Sequence, residues 1–340
     1  MSGQNAMDKG SERLAQRLKF GDTYAENRVL CAPLAGYTDF AFRKLCYRFG
    51  AGLCFTEMVS AKGLLYNSEA TRKLLYKAEG EEQTAAQLFG GDPSVMRSAC
   101  ESEYLAVYRT VDINMGCPVP KVYKNGEGSA LLADMPRAEK IISACKASGK
   151  TITVKFRIGL DQNRVVAAEF AKMCEGAGAD MITVHGRTRD RYYAGEPDYA
   201  AIASAKNAVG IPVIANGGIF SRADALKMLD ETGADGVMVA RAAMYDPHIF
   251  AEILGRPAAW DRRAAIEEQI ADMLPFYGEN YTVVQMRKMT AFYTRGMHGG
   301  ARWREKLFAC DKVSSLLSLV AEIFGDEESV SAENSAHTSD

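Results

Sequence analysis

In the stretch DINMGCPVPKV (112–122), Cys117 follows an apolar run directly and is flanked by Gly116 and Pro118. A structural cysteine usually sits inside such a run; one at its exit is held on a stiff turn with the sulfur facing outward. Other short apolar runs also close on residues able to do chemistry. Their ends are Pro33, Glu57, Gln87, Asn114 with Cys117, Lys155 with Arg157, His185 with Arg187, Asn216 with Gly217 and Gly218, and Ala240 with Arg241. Singly, Lys155 reads more readily as a surface lysine and His185 as a hydrogen-bonded core histidine. Jointly, so many polar endings argue for a site. The stretches ANGGIFSRADA (215–225) and ARAAMYDP (240–247) fit a phosphate grip. Gly217 and Gly218 let backbone N–H groups approach an anion, and Arg241 adds a cation. A plain tight turn explains "NGG" as well; its place in the fold favours the grip. There is no G-x-S-x-G, no H-E-x-x-H and no carboxylate cluster. Metal-assisted and glycoside hydrolysis are therefore disfavoured, and no metal centre is expected. A phosphate-bearing organic cofactor fits better, with Lys155 placed to stabilise negative charge on it.

The runs that must position these residues are 28–33, 53–58, 84–89, 109–114, 151–157, 180–186, 211–217 and 235–241. They alternate with amphipathic segments such as DFAFRKLCYRFG and VVAAEFAKMCEGAGAD, several of which end in a helix-stopping glycine. Strands apolar on both faces, alternating with helices, predict a parallel sheet covered by helices. Eight such units favour a (β/α)₈ barrel over an open doubly wound sheet, and no G-x-G-x-x-G follows the first run. In a barrel the strand C-terminal ends gather the chemistry. After Arg241 the strand pattern stops. Ile266, Ile270, Met273, Leu274 and Tyr277, then Trp303, Leu307, Cys310, Leu317 and Val320, step at helical spacing. The expected organisation is an N-terminal extension (1–25), a barrel (26–252), a linker around GRPAAWD, a helical domain (258–325) and a disordered acidic tail (326–340).

The net charge of −2 means that any nucleic acid must be held by a local basic patch. Residues 287–306 supply one: Arg287, Lys288, Arg295, Arg302, Arg304 and Lys306 against Glu305, interleaved with Phe292, Tyr293 and Trp303. A solvated helix face with core aromatics accounts for the same residues. None of the eight cysteines forms a C-x-x-C pair, and the first twenty residues lack the apolar core of a secretory signal. No run approaches the ~18 apolar residues of a membrane span. A cytoplasmic, monomeric protein with free thiols is expected.

Taken in order, "APLAGYTDFAFRKL", "TEMVSAKGL", "AQLFGGDP", "DINMGCPVPKV", "GSALL", "VKFRIG", "VHGRTRDRYYAG", "PVIANGGI" and "GVMVARAA" resemble the tRNA-dihydrouridine synthase family; "MRKMTAFYTRG" matches more loosely. The resemblance spans about residues 28 to 310. It implies a flavin-binding barrel followed by a helical RNA-binding domain, with FMN as cofactor, NADPH or NADH as reductant and tRNA as partner. It assigns FMN contacts to Pro33, Leu34, Ala35, Gln87, Lys155 and His185. The phosphate elements become Asn216, Gly217, Gly218, Ala240 and Arg241. Asn114 and Arg187 would lie near the uracil, Arg287 and Lys288 would contact tRNA, and Cys117 would be the catalytic acid. Reducing the uracil C5–C6 bond takes a hydride at C6 and a proton at C5, and a thiol still protonated at neutral pH can give the proton. The chain departs from the family at Ala240, where glycine is common, and at Gly218, where an acid is frequent. A flavin barrel acting on a free pyrimidine and a non-catalytic RNA-binding module remain as alternatives.

Overall fold

The structure is a computed structural model that describes residues 9–66, 68–256 and 258–325. Ten strands are described: β1 (Leu18–Phe20), β2 (Thr23–Ala25), β3 (Val29–Cys31), β4 (Phe55–Ser60), β5 (Ala85–Phe89), β6 (Thr110–Met115), β7 (Thr151–Arg157), β8 (Met181–His185), β9 (Val213–Asn216) and β10 (Gly236–Val239). Strands β3 to β10 form one parallel sheet in the order β3-β10-β9-β8-β7-β6-β5-β4. A parallel bridge between Leu30 and Leu53 joins β3 to the approach to β4. The Cys31 N–H donates to the Leu53 carbonyl (2.9 Å) and the Gly52 N–H to that of Val29 (2.8 Å). The predicted barrel is present, with each expected run contributing its strand.

Side chains alternate along a strand, so residues two apart share a face. Val111, Ile113, Ile152, Val154, Ile182, Val184, Val237 and Val239 alternate with the inward set and are fully buried, as a sheet covered by helices requires. Helices begin where short acceptors cap them. Asp39, Asp92, Asp134, Asp198 and Ser221 each accept from N–H groups of the following first turn. These caps fix where each loop after a strand ends, and so how much chain is free to form a rim.

The described part of the expected extension over 1–25 forms structure of its own. β1 and β2 pair as an antiparallel hairpin. Leu18, Phe20 and Ala25 pack in one cluster with Leu30, Phe55, Ala85, Met181, Ile214 and Met238. Phe55, Ala85 and Met181 open their strands, so the hairpin plugs the N-terminal end of the barrel. Its turn presses close: Gly21 has φ +51°, and a Cβ there would meet Asp180 and Thr151 at 2.9 Å. A three-residue strand has too little periodicity to be read from sequence.

One compact unit runs to Ala243 and resumes at His248; the other holds Met244–Pro247 and continues from Ala258. The second unit contains helices Arg262–Tyr277, Glu279–Tyr293, Gly300–Ala309 and Val313–Phe324. Ile266, Ile270, Met273, Met286, Met289, Leu307, Leu316 and Val320 are buried within it. The expected acidic tail lies outside the described residues. Among those described, no helix is long and apolar enough to cross a membrane. All eight cysteines are free and buried.

Phe20→Ala removes a side chain 2 % exposed from the plug. It is expected to destabilise the barrel by ~3–5 kcal/mol, read from urea unfolding. A midpoint equal to that of the parent would show that the hairpin only rests on the barrel.

Candidate active site

Parallel register stacks the inward-facing residues in rows. Gln87, Asp112 and Thr153 are partners across β5, β6 and β7. One step higher stand Asn114, Lys155 and Thr183, and next come Arg157, His185 and Asn216. Going up the barrel, the interior thus changes from the apolar plug to a polar rim.

The lowest polar row is closed on itself. Asp112 accepts from the Thr153 hydroxyl (2.6 Å) and from Gln87 Nε2 (2.7 Å). Asn114 Nδ2 donates to Gln87 Oε1 at 2.9 Å. Asn114 Oδ1 accepts from the N–H groups of Gly116 (3.2 Å) and Cys117 (2.9 Å). Ser129 holds the other side of the turn, donating its hydroxyl to the Cys117 carbonyl at 2.7 Å. The turn expected from sequence is therefore fastened at both ends.

Above this row lies a cavity of about 360 Å³. Pro33, Leu34 and Ala35 line it, as do Asn114, Cys117, Lys155, His185, Arg187, Asn216, Gly217, Gly218, Ala240 and Arg241. Gln87 does not. It is 1 % exposed and lies behind Asn114. Glu57 is also off the wall, its carboxylate accepting from the Gly36 N–H. The wall also holds Arg157, one of the expected strand ends, and Met58, Tyr192, Tyr193 and Phe220, to which the sequence alone assigns no role.

Arg157 ties two loops together. Its Nε donates to the Gly116 carbonyl (3.1 Å), and Nη1 donates to those of Thr188 (3.0 Å) and Tyr192 (2.8 Å). Tyr192 has φ +49°, the one described non-glycine residue with positive φ, and is held there by this bond. Arg241 lies 5.0 Å from the Tyr193 ring centroid and 5.3 Å from that of Phe220. The signal for Tyr192 and Tyr193 is present in "RYYAG", but two adjacent tyrosines in a loop carry no periodicity to read.

Electrostatics follow from the set of cations. The wall carries Lys155, Arg157, Arg187 and Arg241 and no carboxylate. Burial, reinforced by Arg157 and opposed by Asp112 and Cys117, brings Lys155 down to about 8. Its ammonium donates to Asn216 Oδ1 at 3.1 Å. Burial, then the charges of Lys155, Arg157, Arg187 and Arg241, hold His185 well below the usual imidazole value. Arg187 Nη1 approaches His185 Nε2 at 3.3 Å; a guanidinium only donates, so Nε2 accepts and the ring proton sits on Nδ1. Burial also raises the Cys117 thiol, outweighing an N–H from Val119 and the charges of Arg157 and Lys155. Cys117 is therefore a protonated thiol on the wall of a strongly positive cavity.

The residues present fit a phosphorylated, planar organic cofactor. Gly217 and Gly218 have φ of +125° and +68°; a Cβ on the first would stand 3.1 Å from the His185 ring, and on the second 3.0 Å from Pro197. Only bare backbone can occupy this loop beside the cations, which is what close approach of an anion needs. Ala32, Pro33, Met58 and Met238 add apolar wall against which a flat ring can lie.

The basic residues expected to face RNA belong to the second unit. Arg287 Nη1 donates to the carbonyls of Phe308 (3.1 Å) and Cys310 (3.2 Å), fastening the end of helix Gly300–Ala309. Lys288 donates to Gln285 Oε1 at 2.9 Å, and Lys306 pairs with Glu322 at 2.7 Å. Tyr293 is 1 % exposed and packs edge-on to Trp260, while Phe292 packs against Tyr245. Arg302 and Arg304 are exposed. The core-aromatic alternative thus holds for Phe292 and Tyr293.

Residues 30–328 match the family model Dus, described as dihydrouridine synthase. The tRNA-dihydrouridine synthase B of Pseudomonas aeruginosa is 36 % identical over 321 residues, covering 92 % of this chain and 97 % of that protein. The probable tRNA-dihydrouridine synthase of Rickettsia conorii is 34 % identical, covering 90 % and 96 %. Among solved structures, morphinone reductase aligns with a TM-score of 0.54 at 14 % identity over 74 % of this chain and 92 % of that one. A variant of NCR from Zymomonas mobilis aligns at 0.51 and 18 %, over 75 % and 94 %. These two likenesses concern the barrel fold alone. With the matched motifs forming its strands and lining its cavity, the chain belongs to the dihydrouridine synthase family.

Proposed function

We propose that the protein reduces uridine in tRNA to 5,6-dihydrouridine, with FMN as resident cofactor, NADPH or NADH as external reductant and Cys117 as proton donor. The observation that carries this reading is a thiol kept protonated on the wall of a cavity that has four cations and no carboxylate. Pro33, Leu34, Ala35, Lys155, His185 and Asn216 would hold the flavin ring system, and Gly217, Gly218, Ala240 and Arg241 its phosphate. When bound and reduced, FMN supplies the hydride for uracil C6. Cys117 gives its proton to C5, and the resulting thiolate is stabilised by Arg157 and Lys155 until a proton returns. Asn114 and Arg187 are assigned to the edges of the base. A stacked uracil must be extruded to enter such a cavity, so the RNA body needs its own platform. The helical unit is assigned that role, with Arg287, Lys288, Arg302 and Arg304 as its phosphate contacts. We assign the protein to the cytoplasm, as a monomer.

Cys117→Ala divides the reaction. Reduction of bound flavin by NADPH remains near the parent rate, whereas transfer to tRNA falls ~10²–10⁴-fold, or roughly 3–5 kcal/mol of barrier. Anaerobic stopped-flow reoxidation on adding unmodified tRNA measures it; parent-rate reoxidation with dihydrouridine formed would remove Cys117 from the role. Because burial raises the thiol, the parent's transfer rate stays level through neutral pH. It declines first as Lys155 loses its charge at about 8, and again above the ordinary thiol range, as the acid form is lost. Arg241→Gln weakens FMN by about 10- to 100-fold in fluorescence titration of flavin-stripped protein, the loss of one charge-assisted contact. An unchanged affinity would move the phosphate elsewhere. Arg302→Glu with Arg304→Glu weakens tRNA binding and flattens its salt dependence, leaving the flavin spectrum intact. Unaltered binding would place the platform elsewhere.

A further inference from the structure

Asp112 is a buried carboxylate for which the reaction above has no use. It lies on β6 in the lowest polar row, fully buried, with Gln87 on one side and Thr153 on the other. An ionised carboxylate only accepts hydrogen bonds. The end of Gln87 that meets it must therefore be the NH₂, as observed at 2.7 Å. That leaves Gln87 Oε1 facing Asn114, which can meet it only with its own NH₂, at 2.9 Å. Asn114 Oδ1 is then the atom left to face the turn, where it accepts from the N–H groups of Gly116 and Cys117. Each amide would fit its site equally well in volume if rotated by 180°. Only the acceptor at the base of the chain makes one orientation satisfied and the other repulsive.

We propose that Asp112 is a positioning residue that sets the orientation of two amides in series, and through them fixes the turn that carries Cys117. Burial raises its carboxyl to about 6, against hydrogen bonds from Thr153 and Gln87 and the charge of Lys155, so it remains ionised at neutral pH. With Asp112 as acceptor, every link in the series joins a donor to an acceptor, and buried networks of this kind are rigid only when complete. The inference rests on Cys117 being the proton donor, but its test reads the turn and not the reaction.

The test exploits polarity. Gln87→Glu is nearly isosteric but sets a carboxylate against Asp112. Asp112→Asn/Gln87→Glu exchanges the acid and the amide between the two positions. The amide now at position 112 can donate to the carboxylate at position 87 and accept from Thr153, and that carboxylate still accepts from Asn114. Total charge and volume match the parent. The measurement is iodoacetamide alkylation of Cys117 in each purified holoprotein, by peptide mass spectrometry, with far-UV circular dichroism as the check on folding. In the parent the 8 %-exposed thiol is protected. Gln87→Glu is expected to alkylate about tenfold faster, as the turn loosens by the equivalent of one lost buried hydrogen bond. The double variant is expected to return to the parent rate. If Gln87→Glu alone fails to fold, a folded double variant alkylating at the parent rate still supports the series. A single variant that keeps the parent rate at a pH where both facing carboxyls are ionised overturns the proposal. So does a double variant that alkylates fast or does not fold. Failure of the parent to form dihydrouridine would instead remove the proposed reaction and leave these rates to stand by themselves.

Discussion

Four cations converge on one cavity wall without a carboxylate among them. Lys155, Arg157, Arg187 and Arg241 arrive from the ends of β7, β8 and β10, where parallel strands all point the same way. Positive charges gathered in a partly desolvated space repel one another, and only an anionic ligand relieves this. That single condition organises the rest of the site. Adding to burial, which is the larger cause, it helps to keep His185 neutral and to bring Lys155 down to about 8. It also explains why glycines with bare backbone stand beside the guanidinium of Arg187, where a Cβ on Gly217 would come within 3.3 Å.

Such convergence depends on register. Because the side-chain period is two, slipping β7 by one residue would turn Lys155 and Arg157 toward the helices and bring Val154 and Phe156 inside. The apolar plug opposes that slip from below. Phe20 and Leu18 pack on the first inward residues of several strands at once, so the positions above them can be polar without losing alignment. From above, Arg157 fastens the turn of Cys117 to the loop of Tyr192 through carbonyls of both. Plug and staple constrain the same strands from opposite ends.

Much of this is legible in the sequence because barrel strands buried on both faces are continuous apolar runs, and because their C-terminal ends must share a rim. Cys117, Lys155, His185 and Asn216 can be placed on one surface from that rule alone. The cavity-lining glycines after β9, Gly217 and Gly218, are legible for the same reason. The hairpin at 18–25 is not, since three-residue strands have no usable period. A strand pattern gives the face of a residue but not its depth, so it does not show that Gln87 is one row below Asn114 and packs behind it. Charge alone likewise does not show that Arg287 also closes a helix end. Asp112 sits within the most informative stretch of the chain, yet reads as part of a strand; its meaning needs the cross-strand partners that only register supplies.

The field of the cations also bears on why a thiol, and not another acid, serves as the donor proposed here. A carboxyl group beside Arg157 and Lys155 would be driven toward ionisation and would arrive at the reaction without its proton. An imidazole in the same field would be neutral, as His185 is, with no proton to spare at physiological pH. A lysine would add a fifth positive charge to the wall. A thiol is uncharged in its acid form, so burial favours the protonated state, and it starts high enough that nearby cations do not remove the proton. Once the proton has gone, the same cations stabilise the thiolate left behind. The charge that selects an anionic ligand is thus also the charge that makes a buried cysteine a usable acid, and neither property can be changed without altering the other.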